Sequence, residues 1–124
     1  MELIFGGAYQ GKLDYAISKY NTMNIYHCRQ NDPHPAFDRD VIDALEEFVY
    51  ACVLTGEDPL EYVKENIDFL RDKVVIIKDI SSGITPKDPV MLEWRRQNGL
   101  VMTYLGKEAD IVTRILCGIP QKVK

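Results

Sequence analysis

Leu3-Ile4-Phe5-Gly6-Gly7-Ala8-Tyr9-Gln10-Gly11-Lys12-Leu13 decides the reading of this chain. Leu3–Phe5 is a short apolar run that stops at two glycines, the pattern of a buried strand entering a turn. Beyond the turn, Leu13, Ala16, Ile17 and Tyr20 recur at helical spacing. A strand, a glycine-rich turn and a helix therefore follow one another within twenty residues of the start.

The turn itself, Gly6–Lys12, fits G-x-x-x-x-G-K. Such a turn lets successive backbone N–H groups face an anion, because glycine takes dihedrals that other residues avoid and lets phosphates come close. The helix N-terminus adds partial positive charge, and Lys12 supplies a full one. Gly6, Gly7, Ala8, Tyr9, Gln10, Gly11, Lys12 and Leu13 are thus the expected nucleotide-binding residues, with GTP or ATP as ligand. Tyr9 and Gln10 can cover a base or ribose, or Tyr9 can pack on a neighbouring subunit. Leu13 stands where the usual motif has Ser or Thr to hold Mg²⁺, and leucine cannot ligate a metal.

Downstream, strands alternate with helices. Strands are expected at Asn24–Cys28, Val74–Ile77 and Ile111–Leu116, with a polar loop at Arg29–Pro35. One helix is expected from about Phe37 to Thr55, with Phe37, Val41, Leu45, Phe48 and Cys52 on its buried face. Asp38, Asp40, Asp43, Glu46 and Glu47 then form its solvated face. Asp58-Pro59 and Asp88-Pro89 each pair a capping aspartate with a first-turn proline; the first of these helices carries its apolar stripe to Leu70. A basic tail closes the chain. This alternation predicts a small three-layer α/β sandwich of P-loop type, with a mostly parallel sheet.

The 124 residues suit one domain. A net charge of −4, without a basic arm or stripe, argues against nucleic-acid binding. No apolar run approaches the ~20 residues of a membrane span. Three widely spaced cysteines, Cys28, Cys52 and Cys117, read as reduced, buried thiols and predict a cytoplasmic protein.

Asp79, just after the β-branched run Val74–Ile77, occupies a position where α/β nucleotide enzymes place a metal-orienting carboxylate; alternatively it hydrogen-bonds Ser81 or Ser82. From there an ordered series runs through Asp79-Ile80-Ser81-Ser82-Gly83-Ile84-Thr85-Pro86, Trp94-Arg95, Gly99, Ala109-Asp110-Ile111-Val112 and Gly118-Ile119-Pro120-Gln121-Lys122-Val123-Lys124. Together with the opening turn, this series resembles the bifunctional adenosylcobinamide kinase/adenosylcobinamide-phosphate guanylyltransferase family of cobalamin biosynthesis. The resemblance covers about the first 17 residues and Val74–Lys124.

It implies a nucleotide-dependent kinase and nucleotidyltransferase. Gly6–Lys12 would hold GTP or ATP, and Lys12 and Asp79 would serve catalysis, with Asp79 toward Mg²⁺. Gly83 and Pro86 would shape the adjoining loop. Adenosylcobinamide or its phosphate would be the second ligand, in a homo-oligomer. The chain departs from that pattern at Leu13, at Leu100 and Met102, and between Tyr20 and Val74. That middle segment should bring a strand with an acidic residue and a helix with the guanylylated histidine. Only His27 and His34 are at hand, and neither has the flanking residues of such a nucleophile. His27, at a strand end, reads as an ordinary hydrogen-bonded histidine. Guanylyl transfer is therefore expected to be lost. The alternative is a non-catalytic module that holds nucleotide or a corrinoid in a regulatory or carrier role; a third is a structural domain that keeps the turn for folding alone.

Overall fold

A computed structural model describes residues 1–81 and 87–124. Ser82, Gly83 and Pro86, drawn into the site by the resemblance, lie outside the described residues. In chain order the elements are β1 (Glu2–Gly6), α1 (Lys12–Tyr20), β2 (Ile25–His27), β3 (Val41–Asp43), α2 (Leu45–Thr55), α3 (Pro59–Glu65), α4 (Ile67–Leu70), β4 (Val74–Lys78), α5 (Pro89–Glu108), β5 (Ile111–Leu116) and β6 (Ile119–Lys122). The strands form one sheet in the order β2-β3-β4-β1-β5-β6. Every pairing is parallel except the closing β5–β6 hairpin.

Side chains alternate across the strands and give each face its own core. Leu3, Ile42, Val75, Ile77 and Val112 pack with α2, α3 and α5, while Ile4, Val41, Ile76 and Ile115 pack with Ala16 and Leu13 of α1. Helices thus cover both faces of a mostly parallel sheet, the three-layer α/β arrangement expected from the alternation of elements. Each fully buried Leu, Ile or Phe in these layers contributes about 1.5–3 kcal/mol.

Four expectations are corrected. The segment expected as one helix from Phe37 to Thr55 contains a strand. Phe37 and Ala44 both adopt left-handed backbone (φ 54° and 58°), and Val41–Asp43 between them joins the sheet beside β4. Phe37 and Val41 are buried as predicted but in different cores: Phe37 packs edge-on to Phe48, and Val41 faces the α1 side. The helix expected to continue to Leu70 breaks at Asn66, whose side-chain amide donates to the Tyr62 carbonyl at 2.8 Å. Finally, the basic tail is strand β6, returned by the two-residue turn Cys117-Gly118 (φ 51° and 75°). That turn leaves Cys117 exposed, whereas Cys28 and Cys52 are buried as expected; all three thiols are free.

One carboxylate lies inside the α1 layer. Glu2 is 3 % exposed and accepts bonds from Thr113 Oγ1 (2.6 Å), Lys19 Nζ (2.9 Å) and the Tyr20 hydroxyl. Burial alone would raise its pKa, but the bonds from Thr113, Tyr20 and Lys19 outweigh it and hold it below the ordinary glutamate value. A lowered folded-state pKa stabilises the fold above the unfolded glutamate range, and that contribution fades as pH falls through the folded value. Glu2→Gln should therefore lower stability by about 1–3 kcal/mol at neutral pH in urea melts. The gap to the wild type should close as the medium becomes acidic; a gap independent of pH would exclude a role for the charge.

Candidate phosphate-binding site

The loop between β1 and α1 begins where β1 is most confined. A Cβ added at Gly6 would lie 2.5 Å from the Ile115 carbonyl oxygen of β5, so no larger residue fits without moving the sheet. The loop ends at Gly11, whose φ of 87° suits glycine and turns the chain into α1. Gly118 N donates to the Gln10 carbonyl at 3.0 Å, and Cys117 N donates to Gln10 Oε1. The β5–β6 turn thereby braces the loop. Gln10, considered for a base or ribose, is committed to that brace, while Tyr9 is fully exposed with left-handed backbone (φ 57°).

Helix starts differ along the chain. Asp58 and Asp88 cap α3 and α5 by accepting backbone N–H bonds through their side chains. At α1 the capping residue is Gly11, and no side chain caps the first turn. Its first N–H groups are therefore left for another acceptor, at the positive end of the helix. A cavity of about 210 Å³ lies there, lined by Tyr9–Asp14 and Asp43.

Lys12 is half-buried, and its Nζ donates to the Gly7 carbonyl at 2.7 Å, spanning the loop. Burial lowers its pKa; Glu46 and then Asp43 push it back up, and Lys78 lowers it. Those carboxylates come from the segment expected to be a solvated helix face. Glu46 is instead buried: it accepts the Lys78 backbone N–H at 2.8 Å, and burial raises its pKa. Its own carbonyl accepts the Trp94 indole N–H at 2.8 Å. Asp43 ends β3, where its Oδ2 lies 2.8 Å from His27 Nδ1. His27 is thus the hydrogen-bonded strand-end histidine that was expected; His34 pairs with Glu57 at 2.6 Å, away from the loop.

Asp79 lies across the loop from this group. Its backbone N–H donates to the Gly6 carbonyl at 2.9 Å, and its Oδ1 accepts both the N–H (2.9 Å) and the hydroxyl (2.6 Å) of Ser81. The serine bond weighed as an alternative for Asp79 is therefore present, and Asp79 also lines a cavity of about 190 Å³ with Gly6, Gly7, Gln10 and Arg114. The sequence named the loop, Lys12 and Asp79 as candidates but left Asp43 and Glu46, whose charges act on Lys12, on a solvated helix face. The signal for Asp43 was the β-branched pair Val41-Ile42 just before it, hidden within helical spacing.

Larger cavities lie beside Glu2 (about 330 Å³) and His34 (about 400 Å³), but neither touches the loop. No helix among the described residues is long and apolar enough to cross a membrane. The chain matches no family model and no curated protein.

The charges around Lys12 have a measurable consequence. Removing an anion destabilises the ammonium, so Glu46→Gln should move the Lys12 titration further below the ordinary lysine value, and Asp43→Asn should do so by less. Side-chain NMR of Lys12 against pH checks the order; an unchanged or raised pKa would place those carboxylates outside its field.

Proposed function

We propose that the protein binds a nucleoside triphosphate, GTP or ATP, through the Gly6–Lys12 loop and acts as a nucleotide-dependent kinase. One observation carries the reading: an uncapped α1 N-terminus, a glycine loop and a half-buried lysine converge on one cavity. In that complex the loop amides and α1 hold the phosphates. Lys12 exchanges its bond to Gly7 for a phosphate oxygen, and its charge balances the negative charge of the transferred group. Phosphoryl transfer asks mainly for positioning and charge, which these groups supply.

Mg²⁺ is the accompanying cation in this reading. Leu13 contributes no oxygen, and the described residues contain no group of three or more metal-ligating side chains. Mg²⁺ nevertheless needs only one or two carboxylates beside phosphate oxygens and water. Asp43, which lines the loop cavity, or Asp79, which lines the cavity across the loop, would supply such a carboxylate. The ion would draw charge from the phosphates. The resemblance to the adenosylcobinamide kinase/guanylyltransferase family supports a kinase whose acceptor is adenosylcobinamide, working as a cytoplasmic homo-oligomer without guanylyl transfer.

Leu13 favours a second reading, in which the same loop holds nucleotide or a corrinoid without turnover, in a regulatory or carrier role. Titration with GTP and ATP, with and without Mg²⁺, separates the two. Nucleotide binding should weaken at least about tenfold in Lys12→Ala, the scale of one lost charge-assisted contact. Dependence of affinity on Mg²⁺ would favour the kinase, and indifference to metal would favour the carrier. Absence of binding to either nucleotide at millimolar concentration would contradict both.

A further inference from the structure

A second cavity, about 210 Å³, opens between the end of β4 and α5, with Asp79, Ser81, Arg95, Asn98, Met102 and Thr103 in its walls. Asn98 is 1 % exposed, and its orientation is set by its Nδ2, which donates to the Lys78 carbonyl at 3.0 Å. Reversing the amide would set two oxygens against each other. Its Oδ1 is then fixed as a buried acceptor, and it has no hydrogen-bond partner among the described residues. Leaving such an acceptor unpaired forfeits the hydrogen bond it had in water. Its neighbour in the wall, Met102, is unbranched and flexible, the kind of side chain that can yield to an incoming group.

The other polar groups of the cavity have a consistent bias. Asp79 receives both Ser81 bonds on Oδ1, and none of the described residues donates to its Oδ2. Thr103 spends its hydroxyl proton on the Gly99 carbonyl at 2.9 Å, so its oxygen can only accept. Arg95 is half-buried and forms no hydrogen bond or ion pair with the described residues. Three acceptors and one cation call for a ligand with a proton donor at one end and an anionic group at the other.

We infer that this cavity is a second binding site, for a small anion that carries a hydroxyl or an ammonium group. The donor meets Asn98 Oδ1 and the Asp79 carboxylate, and the anionic group pairs with the Arg95 guanidinium. Asp79 also lines the cavity that contains Gly7 and Gln10, so the site borders the phosphate-binding loop. The binding site stands without the nucleotide reading; its use as the pocket of the phosphoryl acceptor rests on that reading.

NMR titration of the full chain without nucleotide tests it, using glycolate as the hydroxyl-bearing probe and glycine as the ammonium-bearing one. Saturable shifts of the Asn98 side-chain amide and of the Gly99 and Thr103 amides are expected with at least one probe, and which probe acts identifies the donor. Arg95→Met should weaken that binding about tenfold, the size of one charge-assisted contact. Asn98→Leu should abolish it; should that variant not fold, Arg95→Met alone decides. No saturable shift at tens of millimolar of either probe, or binding unchanged in Arg95→Met, would overturn the inference. Nucleotide binding is read separately on Gly7 and Gly11, so either conclusion can fail alone.

Discussion

β1 is paired on both sides along its whole length, with β4 in register from Glu2↔Val74 and with β5 from Glu2↔Ile111. Both neighbours are distant in sequence, so β1 brings the start of the chain against its middle and its end. At the last position of the strand, Gly6 sits against the Ile115 carbonyl so closely that a methyl group has no room. The point at which the backbone leaves the sheet is thereby determined, and with it the place of the loop and of the α1 N-terminus. Asp79 is located by the same pairing, since its N–H bonds to the Gly6 carbonyl one step beyond the β1–β4 ladder.

Two sets of groups follow from that placement. On the β3 side of the loop, the charges of Glu46 and Asp43 favour the Lys12 ammonium against burial and Lys78, in a partly buried setting where interactions are less screened than at the surface. On the other side, the β5–β6 turn binds Gln10 and braces the loop. The lysine is therefore held near the Gly7 carbonyl rather than extended into solvent.

Much of this was legible in the chain, because the deciding signals are local. Leu3–Phe5 followed by two glycines, Val74–Ile77, and the Asp-Pro starts of α3 and α5 each carry their information within a few residues. β3 was not legible. It has three residues, held by pairing with β2 on one side and, through Val41 and Ile42 alone, with β4 on the other, so its stability comes from strands distant in sequence rather than from its own neighbours. Its apolar positions also coincide with helical spacing from Phe37, which made one helix the simpler reading. Glu46 was missed for a related reason, since a glutamate on the polar face of the expected Phe37–Thr55 helix reads as solvated until Lys78 N and Trp94 are brought to it. β6 had a visible signal in the glycine of Cys117-Gly118, but the lysines after it suggested a tail.

On the proposed function, the Gly6–Lys12 loop receives phosphate. A crystal structure with a non-hydrolysable GTP or ATP analogue tests it most directly. Phosphate oxygens should lie against the first amides of α1, with Lys12 Nζ moved from the Gly7 carbonyl onto a phosphate. An analogue bound elsewhere, or Lys12 still bonded to Gly7 with the nucleotide present, would contradict it.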